Sequence, residues 1–145
     1  MSDYKVRNPD FENRIRENFG RQTIMALLGA SLESVAPGRV SIVLPARDDL
    51  CQQDGYFHAG VSTTIADSAA GYAALSLFDP QTEVLSTEFK VNLLAPAVGE
   101  RLRAVGTVLK PGRTLTIVEA DVFADQADGQ VHVLKFLGTM IGVRR

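Results

Sequence analysis

Apolar positions near the start of the chain recur at helical spacing. Phe11, Ile15 and Phe19 stand four residues apart and form one stripe, the pattern of a helix with one buried face. Asn8, Pro9, Asp10 and Glu12 ahead of it have the composition of a helix start: a capping side chain, a proline in the first turn, and acids at the positive end of the dipole. A helical segment is therefore predicted over about residues 8–28, with a first helix over about 9–19 stopped at Gly20 and a short second one from Thr23 to Leu28 ended by Gly29. Further on, Val40, Ile42 and Leu44 alternate with Arg39, Ser41 and Val43. That period of two predicts a strand, paired in a hairpin with residues 30–35 across Pro37-Gly38.

The polar residues 46–58 read as a loop, and from about Gly60 to Leu77 an Ala-, Gly-, Ser- and Thr-rich stretch reads as the main helix. On it Thr63, Thr64, Asp67, Ser68 and Gly71 share one arc, while Val61, Ile65, Ala69, Tyr72 and Ala73 take the opposite one. After Asp79-Pro80 the period returns to two. Leu85, Thr87, Phe89, Val91 and Leu93 alternate with Ser86, Glu88, Lys90 and Asn92, and further strands are predicted over 102–109, 114–124 and 131–143. Lys110-Pro111-Gly112-Arg113 and Ala127-Asp128-Gly129 join them as tight turns. A hairpin, a long helix and a four-strand meander give an α+β fold in which one antiparallel sheet wraps the helix.

Length and charge narrow the class. The 145 residues are expected to form a single domain, 1–145, able to bury roughly 70% of the surface of the unfolded chain. Fifteen basic and 17 acidic residues leave a formal charge of −2, so no strong field favours nucleic acid or an anionic membrane. No apolar stretch follows Met1-Ser2-Asp3-Tyr4-Lys5, and none later approaches a membrane span, so a cytoplasmic protein is expected. The single cysteine, Cys51, excludes an intramolecular disulfide, and two histidines with one cysteine give no metal-ligand spacing. Neither metal nor cofactor is expected.

The candidate chemistry centres on Asp67. Aspartate is a poor helix-interior residue, and a carboxylate among alanines must be solvated, paired or kept for a reaction. The N-terminus of the same helix has free N–H groups and about half a positive charge, suited to an oxyanion. His58 stands at the helix entry, where capping is the ordinary role. His132 in the last strand reads as a cross-strand or surface residue. Nothing near Cys51 depresses a thiol pKa. Tyr56 and Phe57 are candidates for packing or for a pocket wall.

The helix entered through Gly55-x-x-His58-x-Gly60, with Asp67 seven residues after Gly60, resembles that of the hot-dog-fold acyl-CoA thioesterases of the phenylacetate-degradation type. The resemblance spans about residues 38–143. It includes the strand from Val84 to Asn92 ending in Leu94-Ala95-Pro96, the Gly99-Glu100 turn and the hairpin from Leu109 to Thr114. It implies that Asp67 is general base or nucleophile, that the Ala59 N–H, helped by Gly60, meets the thioester oxygen, and that Gln52 and Ser86 orient carbonyl and water. It also implies an acyl-CoA substrate, aryl or medium-chain, and a homodimer or homotetramer with sites shared between subunits. His58, Lys110 and Arg113 are the candidate substrate contacts, the two cations meeting the phosphates of coenzyme A. Where the family has His-Gly-Gly this chain has His58-Ala59-Gly60, and Gln52 stands for the usual Asn; Ala59 is tolerated at ordinary φ, whereas positive φ would cost about 1–2 kcal/mol. The rival readings are a dehydratase or hydratase of acyl thioesters using His58, and a non-catalytic acyl-CoA-binding protein.

Overall fold

A computed structural model describes residues 4–145; Met1 to Asp3, which belong to the N-terminal reading above, lie outside the described residues. Asn8 does organise the first turn, though it stands two residues before Asp10, which occupies the cap position. Its side chain accepts the Asp10 N–H at 3.0 Å and its carbonyl the Phe11 N–H at 3.1 Å, so α1 runs Phe11–Arg21 rather than from residue 9. Gly20 lies inside α1, and the helix stops where Gln22 turns extended at ψ 92°. Then α2, Thr23–Leu28, ends on Gly29 at φ 79°, the left-handed conformation glycine adopts without cost. Ile15 is fully buried, with Phe11 and Phe19 packed beside it.

Strands β1 (Ser31–Ala36) and β2 (Arg39–Pro45) form the expected hairpin. Residues 46–58 contain one 3-10 turn, Asp48–Leu50, and lead into α3, Ala59–Leu75. The remaining strands are β3 (Thr82–Leu93), β4 (Arg101–Lys110), β5 (Leu115–Gln126) and β6 (Gly129–Arg144). All six form one antiparallel sheet in the order β1-β2-β4-β5-β6-β3, and β2 to β6 pack on α3. The α+β architecture is the expected one, but the four-strand meander is not. Only β4-β5-β6 meander; β3 crosses to the far edge and pairs with β6, because β4 returns to pair with β2.

Strict alternation also fails on β3. The register with β6 slips between Ser86 and Glu88, so Thr87 is an extra residue and the inward face changes parity there. Ser86, opposite the buried Met140, and Phe89, opposite Gly138 and stacked on the buried Phe136 at 4.9 Å, therefore share the helix-facing side. The plain alternation put them on opposite faces.

The sheet closes tightly on α3. Ala69, Ala70, Ala73 and Ala74 are fully buried, and Ala104 and Ala120 face them from β4 and β5. At Gly106 an added Cβ would lie 2.3 Å from the Ala69 carbonyl and 2.4 Å from the Ala70 nitrogen, both backbone. The Gly106→Ala variant must therefore push sheet and helix apart, and it is expected to lose about 1–3 kcal/mol in chemical denaturation. Unchanged stability would show that the close approach is not needed.

Candidate functional site

Asp67 is half-buried on α3, and Ser86 on β3 donates a hydrogen bond from Oγ to Asp67 Oδ1 at 2.6 Å. Ser86 lies on the same face of β3 as Thr82 and Val84, in the regular register with β6 that precedes the bulge. A second contact, 3.3 Å from Ser86 Oγ to Met140 Sδ, fixes the serine rotamer. The pair lines a cavity of about 270 Å³ with Ser68, Gly71, Tyr72 and Val84 among its walls. Thr63 and Thr64, on the same arc, turn their hydroxyls back to the carbonyls of Ala59 and Gly60 at 2.8 and 2.7 Å. They leave Asp67 and Ser86 as the groups with chemistry to offer.

At the other end of α3 the His58 ring caps the helix: Nδ1 accepts the Gly60 N–H at 2.8 Å. A Cβ on residue 60 would sit 3.0 Å from that nitrogen, so the glycine makes room for the cap. The Gly60 N–H, one of the two expected oxyanion donors, is thus already engaged. Val61 and Ser62 donate to the His58 carbonyl. Ala59 donates in none of the hydrogen bonds found among the described residues, and no non-glycine residue there has positive φ, so alanine at 59 carries no backbone strain.

Gln52 belongs to a tight turn: its N–H donates to the Tyr56 carbonyl at 2.8 Å, and its Oε1 accepts the Asp54 N–H. It lines a cavity of about 430 Å³ with Ala59, Tyr56, Phe57, Leu93 and Leu94. This cavity shares no wall residue with that of Asp67, and Ala59 precedes Asp67 by about 12 Å of helix rise. One chain therefore presents the expected site as two separated halves.

Arg113 lines a third cavity, of about 220 Å³, with Lys5, Arg7 and Phe78 at the C-terminal end of α3, and Lys110 is exposed at the end of β4 beside it. Neither cation joins either half within one chain. His132 stacks on Phe123 at 4.9 Å and pairs with Asp121 at 2.8 Å across the strands, as its sequence position suggests. The Cys51 thiol donates to the Arg47 carbonyl at 3.5 Å. No group of three His, Cys, Asp or Glu side chains suited to a metal is found among the described residues, and no helix there is long and apolar enough to cross a membrane.

Two residues at the Asp67 cavity escaped the sequence reading. Tyr72, placed on the opposite arc, follows Ser68 by four residues and lines the same cavity, and its hydroxyl donates to Gln22 Oε1 at 3.1 Å. The Ser68-Tyr72 spacing was a usable signal. Gln22, between two helices, gave none.

An Ala-rich helix wrapped by one antiparallel sheet, with a carboxylate on the open arc, defines the hot-dog class. A thioesterase family protein from Silicibacter pomeroyi has the same fold at a TM-score of 0.92 and 41% identity, over 93% of this chain and 99% of that one. The Escherichia coli PaaI protein, from the phenylacetic acid degradation operon, matches at a TM-score of 0.83 over 94% of this chain and 96% of that one. At 15% identity it bears on the fold alone. Human acyl-coenzyme A thioesterase 13 is 26% identical over 102 residues, 70% of this chain and 71% of that protein. Residues 54–129, more than half of the chain, match the thioesterase superfamily, and the chain belongs to it.

Proposed function

We propose that this protein hydrolyses an acyl-CoA, with an aryl or medium-chain acyl group, to the carboxylic acid and free coenzyme A. The observation that carries the reading is the Asp67-Ser86 hydrogen bond beside an open cavity, in a chain of the thioesterase superfamily. Asp67 Oδ1 is held by Ser86, which leaves Oδ2 to accept a proton from water or to attack the carbonyl carbon itself. In the first route the water oxygen bonds to the carbonyl carbon, its proton passes to Asp67, and collapse of the tetrahedral intermediate breaks the C–S bond. In the second an acyl-aspartate anhydride forms as the thiolate leaves, and water then hydrolyses it. A thiolate is a good leaving group, so both routes need an oxyanion donor more than a strong acid. The Ala59 N–H at the positive end of α3 suits that task.

A single chain does not bring Ala59 and Gln52 to Asp67. The outer edge of β3 is unpaired, and Leu85, Phe89, Leu93 and Leu94 are 59%, 43%, 60% and 51% exposed beside it. A second copy covering this edge would satisfy strand and apolar surface together. We take the working unit to be a homodimer, or a tetramer of two such dimers, whose sites draw Gln52 and Ala59 from one copy and Asp67 and Ser86 from the other. The capping bond at His58 Nδ1 argues against His58 as the acid-base residue of a dehydratase. Turnover separates the hydrolase from a protein that only binds acyl-CoA.

Asp67→Asn is expected to lower kcat by roughly two orders of magnitude or more with the fold intact, followed by thiol release from aryl- and medium-chain acyl-CoA esters. Wild-type turnover by a folded variant would remove Asp67 from the chemistry. The shared site has its own test, once Gln52→Ala alone is shown to be strongly impaired. Unfolding and refolding Gln52→Ala with Asp67→Asn makes about half of the dimers mixed, each with one intact site, so about a quarter of wild-type activity is expected back. Recovery no greater than the sum of the separate variants, with mixed dimers seen by mass spectrometry, would put the site within one chain. Lys110 and Arg113 are proposed to meet the coenzyme A phosphates. Replacing both should raise KM for acyl-CoA more than for a short thioester without the nucleotide, less so at high salt; equal effects on both substrates would make them plain surface charges.

A further inference from the structure

The cavity of about 220 Å³ at the C-terminal end of α3 is basic in a chain whose net charge is −2. Lys5, Arg7 and Arg113 line it, with no aspartate or glutamate beside them among the described residues. Arg14, Arg47 and Arg103 each hold a carboxylate, whereas these three cations make neither an ion pair nor a side-chain hydrogen bond within the described residues.

Both segments that carry the cations are anchored. Next to Lys5, the Tyr4 hydroxyl donates to the Val108 carbonyl at 2.5 Å, and the Tyr4 ring lies against Gly38, where an added Cβ would overlap it. Next to Arg7, Asn8 is buried ahead of α1. Across the cavity Gly112 packs so closely on the Leu115 carbonyl that a Cβ there would overlap it, which keeps the turn bearing Arg113 tight.

The end of α3 does not account for these charges. Its carbonyls at Ala73, Ala74 and Leu75 accept from the Ser76 hydroxyl at 2.6 Å, the Leu77 N–H at 3.1 Å and the Phe78 N–H at 3.1 Å, so the helix end is already capped. A second group in the cavity lacks a partner. Thr116, 1% exposed and opposite Met140 on the inner side of β5, lines the cavity, and its hydroxyl makes no hydrogen bond within the described residues. A buried hydroxyl is ordinarily paired. An acceptor oxygen placed between Thr116 and the cations would satisfy all of them. A carboxylate has two oxygens and one charge, whereas a phosphate monoester has three terminal oxygens and nearly two charges at neutral pH, and matches the guanidinium fork.

We propose that this cavity is a phosphate site, in which Lys5, Arg7, Arg113 and the Thr116 hydroxyl hold a phosphate monoester. Two sources share that chemistry: the coenzyme A portion of the substrate, in which case the assignment rests on the hydrolase reading above, and a separate phosphorylated ligand.

Calorimetric titration of the full chain with inorganic phosphate and with adenosine 3′,5′-bisphosphate tests the site without turnover. At least one probe should bind saturably, one per chain, and more weakly as salt rises. Arg7→Gln should weaken that binding by roughly 5- to 50-fold, and Thr116→Val, which keeps the shape and removes the hydroxyl, by roughly 3- to 10-fold. Lys90→Gln removes the same charge from the outer face of the sheet and should leave Kd within about twofold. Should Thr116→Val not fold, Arg7→Gln and Lys5→Gln, both at exposed positions, decide. No saturable binding of either probe at millimolar concentration, or an equal loss in Lys90→Gln and Arg7→Gln, overturns the phosphate site. Given binding, competition by the bisphosphate against acyl-CoA with a raised KM in Arg7→Gln makes the substrate the source, and an unmoved KM makes it a separate ligand. Binding as expected with no turnover of any acyl-CoA would overturn the hydrolase reading and leave the phosphate site in place.

Discussion

Backbone meets backbone where β4 passes α3 at Gly106, and most of the molecule follows from that approach. A sheet can lie so close to a helix only if both faces are nearly bare. The buried alanines 69, 70, 73 and 74 and the facing Ala104 and Ala120 provide those faces. With the inner arc of α3 filled by backbone and methyl groups, there is no room there for a cavity or a charge. The polar arc therefore points toward β3 and β6 and the N-terminal helices, where the sheet leaves the helix and a cavity opens. The position of Asp67 is a consequence of the packing on the far side of its own helix.

The N-terminal helices are tied to that opening. Arg14 of α1 donates to the Asp79 carbonyl at 2.8 Å and pairs with Glu83 at 3.1 Å, which docks α1 against the start of β3. Gln22 follows from that docking, because the break between α1 and α2 falls above Ser68 and Tyr72. Acid and amide thus occupy one cavity although they come from separate segments of the chain, the α1–α2 junction and the middle of α3. At the other end of α3 the capping by His58 leaves Ala59 with the spare N–H. The replacement of glycine by alanine at 59 is therefore compatible with a backbone donor, since only the N–H takes part.

Much of this was legible in the amino-acid order. Phe11, Ile15 and Phe19 mark α1, Pro37-Gly38 the first hairpin, and the alanine run marks α3 with Asp67 as its anomaly, because local periodicity and turn chemistry act over a few residues and leave a trace at that range. Three features lay beyond that range. The place of β3 beside β6 depends on a choice of strand partner made across the whole sheet. The sharing of one face by Ser86 and Phe89 depends on one extra residue, Thr87, whose bulge exists only in register with β6. Gln22 reaches the cavity through two helix ends and a docking ion pair, none of which its neighbours in sequence disclose. Side-chain type and period are local properties and determined the elements; pairing, register and the meeting of distant polar groups are properties of the closed sheet, and only the tertiary structure decided them.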